Sequence, residues 1–482
     1  MTTPNAPRKT LGLTGITINA MALIAPGAFV WLLYQMQVAG AVNGLGGIWP
    51  GVLVALCTAL LTAFSFGELA RRYPEAGLRS AYHFAEQVFK EQNDPKKRRL
   101  ARIAKFATGW SAHLYYWVYP GVMVAFMSVL ADYLLRQFDY HPTVFGQIIL
   151  AAAFSALIGF LALRGITGST PSSVILNTIQ VTSLVIFSIV AIVFRFANPA
   201  GILATEWLHP SVSEVLLPPD FSGLVFQVAL AMILMVGFES STSLGALAAN
   251  PHRDIPRATI LALLIQGALV YLLAYFAAGL AFNTRLDMVG STAPIGELAL
   301  QIGDLVLRGN GFTLMLVMAF TVMIALLGAT LTAVNNGVRI SFSMALDSEM
   351  PDLLGALHPR FATPYNTVIF LTIFATIIGI IGIVGGLPAL MGIILAASTG
   401  AFLLYAILCI LTITTFARTG SFNWFRHGLL PLAGAVISLG VVIGTFIVGL
   451  NTGGIIAQAC LLALGLAVLW LLVSGIYYIL RR

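Results

Sequence analysis

The sequence predicts an all-α polytopic membrane protein of twelve transmembrane helices, and three observations carry that expectation. Of 482 residues, 59% are hydrophobic and only 9% are charged, which puts most of the mass in a bilayer. Apolar runs of about 20 residues, the length that crosses ~30 Å of hydrocarbon, recur along the chain between polar or Pro/Gly-rich breaks. Two of these runs are interrupted near mid-span, at Ile24 to Ala28 and at Val236 to Ser240. Broken backbone is tolerated at membrane depth only where it faces protein or a water-filled cavity.

Taken in order, the runs centre near residues 24, 58, 122, 153, 185, 234, 269, 325, 375, 401, 438 and 467. The first, Leu11 to Ala41, is too long for a signal peptide and has no cleavage-type ending, so it reads as a span. With a cytoplasmic N-terminus, Arg8, Lys9, Arg71, Arg72, Arg79, Lys96 to Arg99, Arg253, Arg257, Arg339, Arg418, Arg481 and Arg482 fall inside. Arg136, Arg195, Arg285 and Arg308 fall outside. That asymmetry places both termini in the cytoplasm. It also accounts for the net charge of +7 by topology, with no nucleic-acid partner. Cys57, Cys409 and Cys460 lie inside apolar runs without metal or disulfide spacing and read as small core residues.

The connections carry their own signals. Leu78 to Ala107 is the most basic stretch, either an in-plane helix on an anionic membrane surface or an ordinary basic loop. Residues 290–304, GSTAPIGELALQIGD, are too short and polar to cross. Ser291 or Thr292 would cap a short helix starting near Pro294 and containing Glu297, a candidate outer lid. At the inner face, Asn250-Pro251 ends one helix while Asp254 and Pro256 open the next. Thr363 and Pro364 are expected to cap and open span 9.

Pro26 removes a helix donor and Gly27 follows it directly, so Ile24, Ala25, Pro26, Gly27 and Ala28 form the natural break of span 1. The amides and carbonyls freed there can hold an anion or an ammonium. In span 6, Gly237 eases a break that presents Phe238, Glu239 and Ser240. A glutamate at this depth would cost about 2.5–3.5 kcal/mol facing lipid, so it must face protein or a cavity. Two interrupted helices five spans apart are what a five-plus-five inverted repeat requires, with the solute held between the repeats. The expected division is a transporter core over residues 1–415, with repeats near 11–196 and 222–415, and two additional C-terminal helices over 416–482.

Three longer stretches are similar to motifs of the amino acid–polyamine–organocation superfamily of transporters. FGELARRYPEAGLRSAYHFAEQ (66–87) resembles its signature after span 2, and GFESSTSLGALAANPHRDIPRA (237–258) its span-6 signature. NNGVRISFSMALDSEMPDLLGALHPRFATPYN (335–366) resembles its span 8–9 connection. The resemblance covers roughly residues 10 to 415. It implies a LeuT-type fold and alternating-access transport of amino acids or related amines, bound at the two breaks. Carried onto this chain, the site is Ile24 to Ala28 and Val236 to Ser240, completed from span 3 around Tyr119 and Met123. The chain departs from the pattern in three places. Ala-Pro-Gly replaces Gly-Ser-Gly in span 1, Ala246 and Leu247 stand where paired acids often precede Asn-Pro, and span 5 has no lysine.

Glu239 is the strongest single candidate, either a proton carrier or amine partner, or a glutamate hydrogen-bonded between helices. Phe238 stacks on solute or packs the bundle. Tyr115, Tyr116 and Trp117 belong to an interfacial belt or reach the cavity with Tyr119. His113 reads as a satisfied core histidine. The resulting expectation is a secondary active permease of an amino acid or small amine-bearing solute in a bacterial-type cytoplasmic membrane, with polyamine or product exchange as the alternative. A proton is expected as coupling ion ahead of sodium, since Ser341 and Ser343 show no sodium-site pattern. A channel would need rings of like groups, and an enzyme clustered His/Asp/Glu. Neither is present, and no cofactor or metal is expected.

Overall fold

The structure is a computed structural model that describes residues 11–24, 26–41, 45–73, 81–90, 95–165, 170–197, 212–244, 248–281, 291–417 and 419–480. Among these residues there is no strand, only an isolated parallel bridge between Leu11 and Ala248. The helices are α1 (Leu13–Ile24), α2 (Pro26–Ala39), α3 (Ile48–Arg72), α4 (Ala81–Lys90), α5 (Pro95–Arg136), α6 (Val144–Leu163) and α7 (Thr170–Ala197). After them come α8 (Val212–Leu216), α9 (Phe221–Met235), α10 (Pro251–Leu263) and α11 (Leu273–Ala281). The chain ends with α12 (Pro294–Val306), α13 (Gly311–Leu346), α14 (Tyr365–Phe416), α15 (Leu430–Thr452) and α16 (Gly454–Leu480). Ten helical segments among the described residues are long and apolar enough to cross a bilayer. The protein is an integral, multi-pass membrane protein.

Burial sorts the helices. In α9 every side chain from Val225 to Met235 is buried, so this helix runs through the middle of the bundle. Phe145 and Phe160 of α6, Ile186 and Val193 of α7, Ile443 and Ile447 of α15, and Leu472 and Ile479 of α16 are exposed. Large apolar groups turned outward on bilayer-length helices are a lipid-facing surface.

α5 has 42 residues. At 1.5 Å per residue it is about 60 Å long, twice the hydrocarbon thickness. It packs along α14, α13 and α4 and serves as the central post. Small residues permit the approach. A Cβ on Gly121 of α5 would meet Ile378 at 2.5 Å, and one on Gly400 would meet the Tyr115 backbone nitrogen at 2.6 Å. Lipid chains supply little hydrophobic drive between helices, so such close backbone packing carries much of the association. α14 is two helices joined at Gly386, whose φ of 62° and ψ of −153° only glycine adopts easily, with Pro388 just beyond.

Several connections differ from the sequence expectation. The basic run after Pro95 is the continuous first part of α5, and the amphipathic piece is the separate ten-residue α4. Neither Ser291 nor Thr292 caps α12. Ala293 holds the N-cap position without a side-chain bond, and Ser291 Oγ accepts from the Ala293 amide, ahead of the first helical turn. Thr363 does not cap α14 either, because its hydroxyl donates to the Leu163 carbonyl at 2.9 Å and ties two connections together. Pro251 takes the first turn of α10, leaving Pro256 inside the helix.

α12 lies against α2 and α13. A Cβ on Gly296 would meet the Trp31 ring at 2.8 Å and the Tyr133 hydroxyl at 2.9 Å, so the helix sits on those two aromatics. Burial raises the Glu297 carboxyl above its ordinary value of 4.5, and the facing Tyr133 hydroxyl opposes this in part. The docked helix therefore takes up a proton more readily than the free one. Docking is strongest at low pH and weakens as pH rises through the raised value. Hydrogen exchange of residues 294–306 should accelerate as pH rises above 4.5, beyond the intrinsic chemistry. Glu297→Gln should remove that dependence, and an unchanged pH profile in the variant would refute it. Separately, Gly400→Val should lower the melting midpoint in detergent, by about 1–3 kcal/mol of overpacking.

Candidate solute site at two helix breaks

α1 ends at Ile24 and α2 begins at Pro26; Ala25 between them lies outside the described residues, and only the backbone of Ile24 and of Pro26 to Ala28 is described. Near the end of α1, the Met21 carbonyl accepts from Gln266 Nε2 at 2.8 Å, and the Ile18 carbonyl accepts from Asn177 Nδ2 at 3.2 Å. Gln266 is buried in a π-helical stretch, Leu264–Leu272, where wider turns are common at functional sites. Side chains of neighbouring helices thus bond backbone carbonyls of α1 toward its end.

The second break is sharper. After Met235, Val236 is extended (φ −75°, ψ 143°) and Gly237 has φ 122°, a region in which a side chain would be strained. The chain then runs as a 3-10 helix, Phe238–Leu244. This geometry turns Glu239 back into the bundle, where it is 6% exposed. Its Oε1 accepts from the Tyr116 hydroxyl at 2.7 Å. Its Oε2 accepts from the Gly237 amide at 3.0 Å and from the Tyr405 hydroxyl at 3.1 Å. One carboxylate therefore joins the break to α5 and α14.

The remaining candidates fall around this point. Phe238 is fully buried, edge-on to Phe66 with centroids 6.3 Å apart and tilted against Tyr405 at 5.2 Å. Ser241 donates to Thr259 Oγ1 at 2.6 Å, since the Thr259 hydrogen is directed at the Ile255 carbonyl. Ser240 and Val236 are buried beside Glu239. Tyr119 and Met123 are fully buried on α5, Tyr119 against Tyr115 at 5.2 Å. His113 Nε2 and Trp117 Nε1 both point at Ser341 Oγ, at 2.9 and 3.1 Å, and Ser341 in turn donates to Gly337. Ser341 thus ties α13 to α5.

Sequence reasoning missed Tyr405 and Gln266. A phenol inside an apolar run is not unusual, and nothing local marks Tyr405 as a partner of a residue 166 positions away. Gln266 carried a usable signal, a polar amide in the middle of span 7 that lipid cannot satisfy. Elsewhere, His83, Glu86 and Asp347 bring ligand atoms within 4.8 Å of one another. Lys105 Nζ already stands among them, 2.8 Å from Asp347 and 3.1 Å from Glu86, so the cluster is an ion-paired clasp between α4, α5 and the end of α13.

The profile of the family described as amino acid permease matches residues 9–466. The chain belongs to that family. Among similar proteins, the permease is 25% identical to the aromatic amino acid transport protein AroP of Escherichia coli (strain K12), over 98% of this chain and 95% of that protein. It is 23% identical to the branched-chain amino acid permease BcaP of Bacillus subtilis (strain 168), over 83% and 80% of the two chains. It is 24% identical to the low-affinity putrescine importer PlaP of Escherichia coli (strain K12), over 76% and 74%. In this permease the Glu239 cluster is expected to act as a unit. Tyr116→Phe and Tyr405→Phe should each destabilise by about 1–3 kcal/mol, since each leaves a buried carboxylate oxygen with one donor fewer. Their double-mutant cycle in thermal unfolding should show coupling, and strict additivity would contradict a shared carboxylate.

Proposed function

We propose that this permease moves an amino acid or small amine-bearing solute across a bacterial-type cytoplasmic membrane by alternating access, with both termini in the cytoplasm. The observation that carries this reading is the break at Val236-Gly237, held inside the membrane by Glu239 and joined to two other helices. The ten candidate spans become twelve crossings when α14 is divided at Gly386 and α1 with α2 are counted as one interrupted span. Twelve crossings with breaks in the first and sixth fit a LeuT-type arrangement, two inverted five-helix repeats over 11–196 and 222–415, with 416–482 as an addition.

In this reading the solute sits between Ile24 to Ala28 and Val236 to Ser240, with Tyr119 and Met123 on the α5 side. Glu239 is the candidate for proton coupling. Protonation would turn one of its acceptor oxygens into a donor and displace Tyr116 or Tyr405. A proton arriving there loosens the tie between the break and α5 or α14. Amine exchange is the second reading, supported by the putrescine importer among the relatives. Against it, both oxygens of Glu239 already accept hydrogen bonds from the protein.

The test is uptake into proteoliposomes across standard amino acids and polyamines, with and without a pH gradient and with empty or preloaded vesicles. Gly27→Leu and Glu239→Gln should abolish uptake while leaving a folded, monodisperse protein. Normal uptake by both variants would sink the proposed site, and uptake only into preloaded vesicles would favour exchange.

A further inference from the structure

Three helical segments meet around a cavity of about 400 Å³, none of whose lining residues belongs to the proposed solute site. Its wall on α1 includes Leu13, Thr17 and Met21, spaced four apart, so they form one stripe about 12 Å long. Val181 and Thr182 of α7 form a second wall, and Leu261 of α10 with Ile265 of the π-helical stretch closes the third side. Two polar side chains of the lining are bonded to α1. Thr17 Oγ1 donates to the Leu13 carbonyl at 2.9 Å, and Asn177 Nδ2 to the Ile18 carbonyl at 3.2 Å. The surface left for an occupant is chiefly hydrocarbon, and an apolar cavity holds no water firmly.

The cavity is a groove on the lipid side. Ile175 and Ile179 of α7 and Leu264, all beside lining residues, are 59%, 44% and 42% exposed, so the rim continues the lipid-facing surface. The groove also has a charged end. On α10, Arg253, Arg257 and Leu261 recur every four residues and lie along one ridge, with Arg257 about 6 Å from Leu261 toward the start of the helix. Both arginines are exposed, and among the described residues neither is in an ion pair. Asp254, between them in sequence, is buried. α1 starts at the same end, since the Ala249 amide bonds the Leu11 carbonyl at 2.8 Å and Ile16 packs with Ala258. The two arginines therefore stand at the mouth of the groove, at the membrane surface that the charge distribution assigns to the cytoplasm.

An apolar groove that opens sideways into the bilayer, with cations at its surface end, matches the two ends of a phospholipid. We infer that it binds one anionic phospholipid, with an acyl chain between α1, α7 and residues 261–265 and the headgroup phosphate on Arg257 and Arg253. A guanidinium fork takes two phosphate oxygens at once, and basic residues near a membrane surface attract anionic lipid. The bilayer is the source, because the rim already lies in it. An amino acid or a diamine does not fit, since its charges would be set against an apolar wall. Because one wall is α1, the lipid favours the arrangement that keeps α1 against α7. No part of this depends on which solute the permease carries.

The experiment uses the full-length protein in phosphatidylcholine nanodiscs that hold a small, equal fraction of phosphatidylglycerol or phosphatidylcholine carrying a diazirine in the acyl chain. Photolabelled positions are mapped by peptide mass spectrometry, with the outward-facing α16 as the internal reference. Residues 13–21, 177–182 and 261–265 should be labelled above α16. There the phosphatidylglycerol probe should exceed the phosphatidylcholine probe by at least about fivefold, the ratio that ~1 kcal/mol from one arginine gives. Arg253→Gln combined with Arg257→Gln should remove that excess. Thr182→Trp, which fills the groove from an exposed position, should lower labelling by both probes there and leave α16 unchanged. Groove labelling no higher than on α16, equal labelling by the two probes in wild type, or an unchanged pattern in either folded variant overturns the site. Displacement of the phosphatidylglycerol probe by added palmitate would assign the groove to a free fatty acid and overturn it as well.

Discussion

A carboxylate inside a membrane protein has to find its donors within the protein, and much of this structure follows from that requirement at Glu239. Its donors include a backbone amide two residues before it, a phenol from α5 and a phenol from α14. The amide is available only because Gly237 takes a conformation that frees it from the helix. The phenols are available only because small residues let α5, α13 and α14 close tightly, with Gly400 against the Tyr115 backbone and Gly337 against that of Tyr116. A break that would otherwise expose unmet backbone groups thereby becomes a fixed point. The cost of irregular backbone at membrane depth is offset locally.

The same accounting separates the two breaks. At the first, neutral amides from Gln266 and Asn177 meet carbonyls of α1. At the second, an ionisable acid meets hydroxyls and an amide. A neutral cap is insensitive to protons, whereas an acid held by several donors changes its bonding pattern when it gains one. If a proton acts on this fold at membrane depth, the second break is where it has leverage. Charges nearer the ends are spent differently. Lys105 with Glu86 and Asp347 is a clasp between elements that stiffens one end of the bundle, whereas Arg71 pairs with Glu68 within α3.

Much of this was legible in the sequence. Length and hydropathy gave the membrane class because the bilayer imposes a minimum run of apolar residues. The interruption at Val236-Gly237 was readable because Gly237 eases a helix break by a mechanism that needs no tertiary information, whereas in span 1 Pro26 opens α2 and Ala25 lies outside the described residues. What resisted reading was whatever depends on distant partners. Arg339 looked like one more topological charge, yet among the described residues its buried Nη1 has no acceptor, and Tyr405 had no local mark at all. The helix caps failed for a related reason. Ser291 and Thr363 have the right chemistry for capping, but one accepts from an amide ahead of the first helical turn and the other reaches across to the Leu163 carbonyl.

The bridge between Leu11 and Ala248 is small, with one firm backbone bond from the Ala249 amide to the Leu11 carbonyl at 2.8 Å. Around it Ile16, Ala248 and Ala258 form their own apolar cluster, joined by Leu11 and Leu13. It fastens the start of the first interrupted helix to the chain that follows the second. The start of α1 and the chain after the second break are therefore tied together, so that under the proposed alternating access a tilt of one would draw the other with it. A solute held between the breaks would then see its floor open as a single trapdoor, with one hinge line and one barrier, instead of as two flaps that could leak separately.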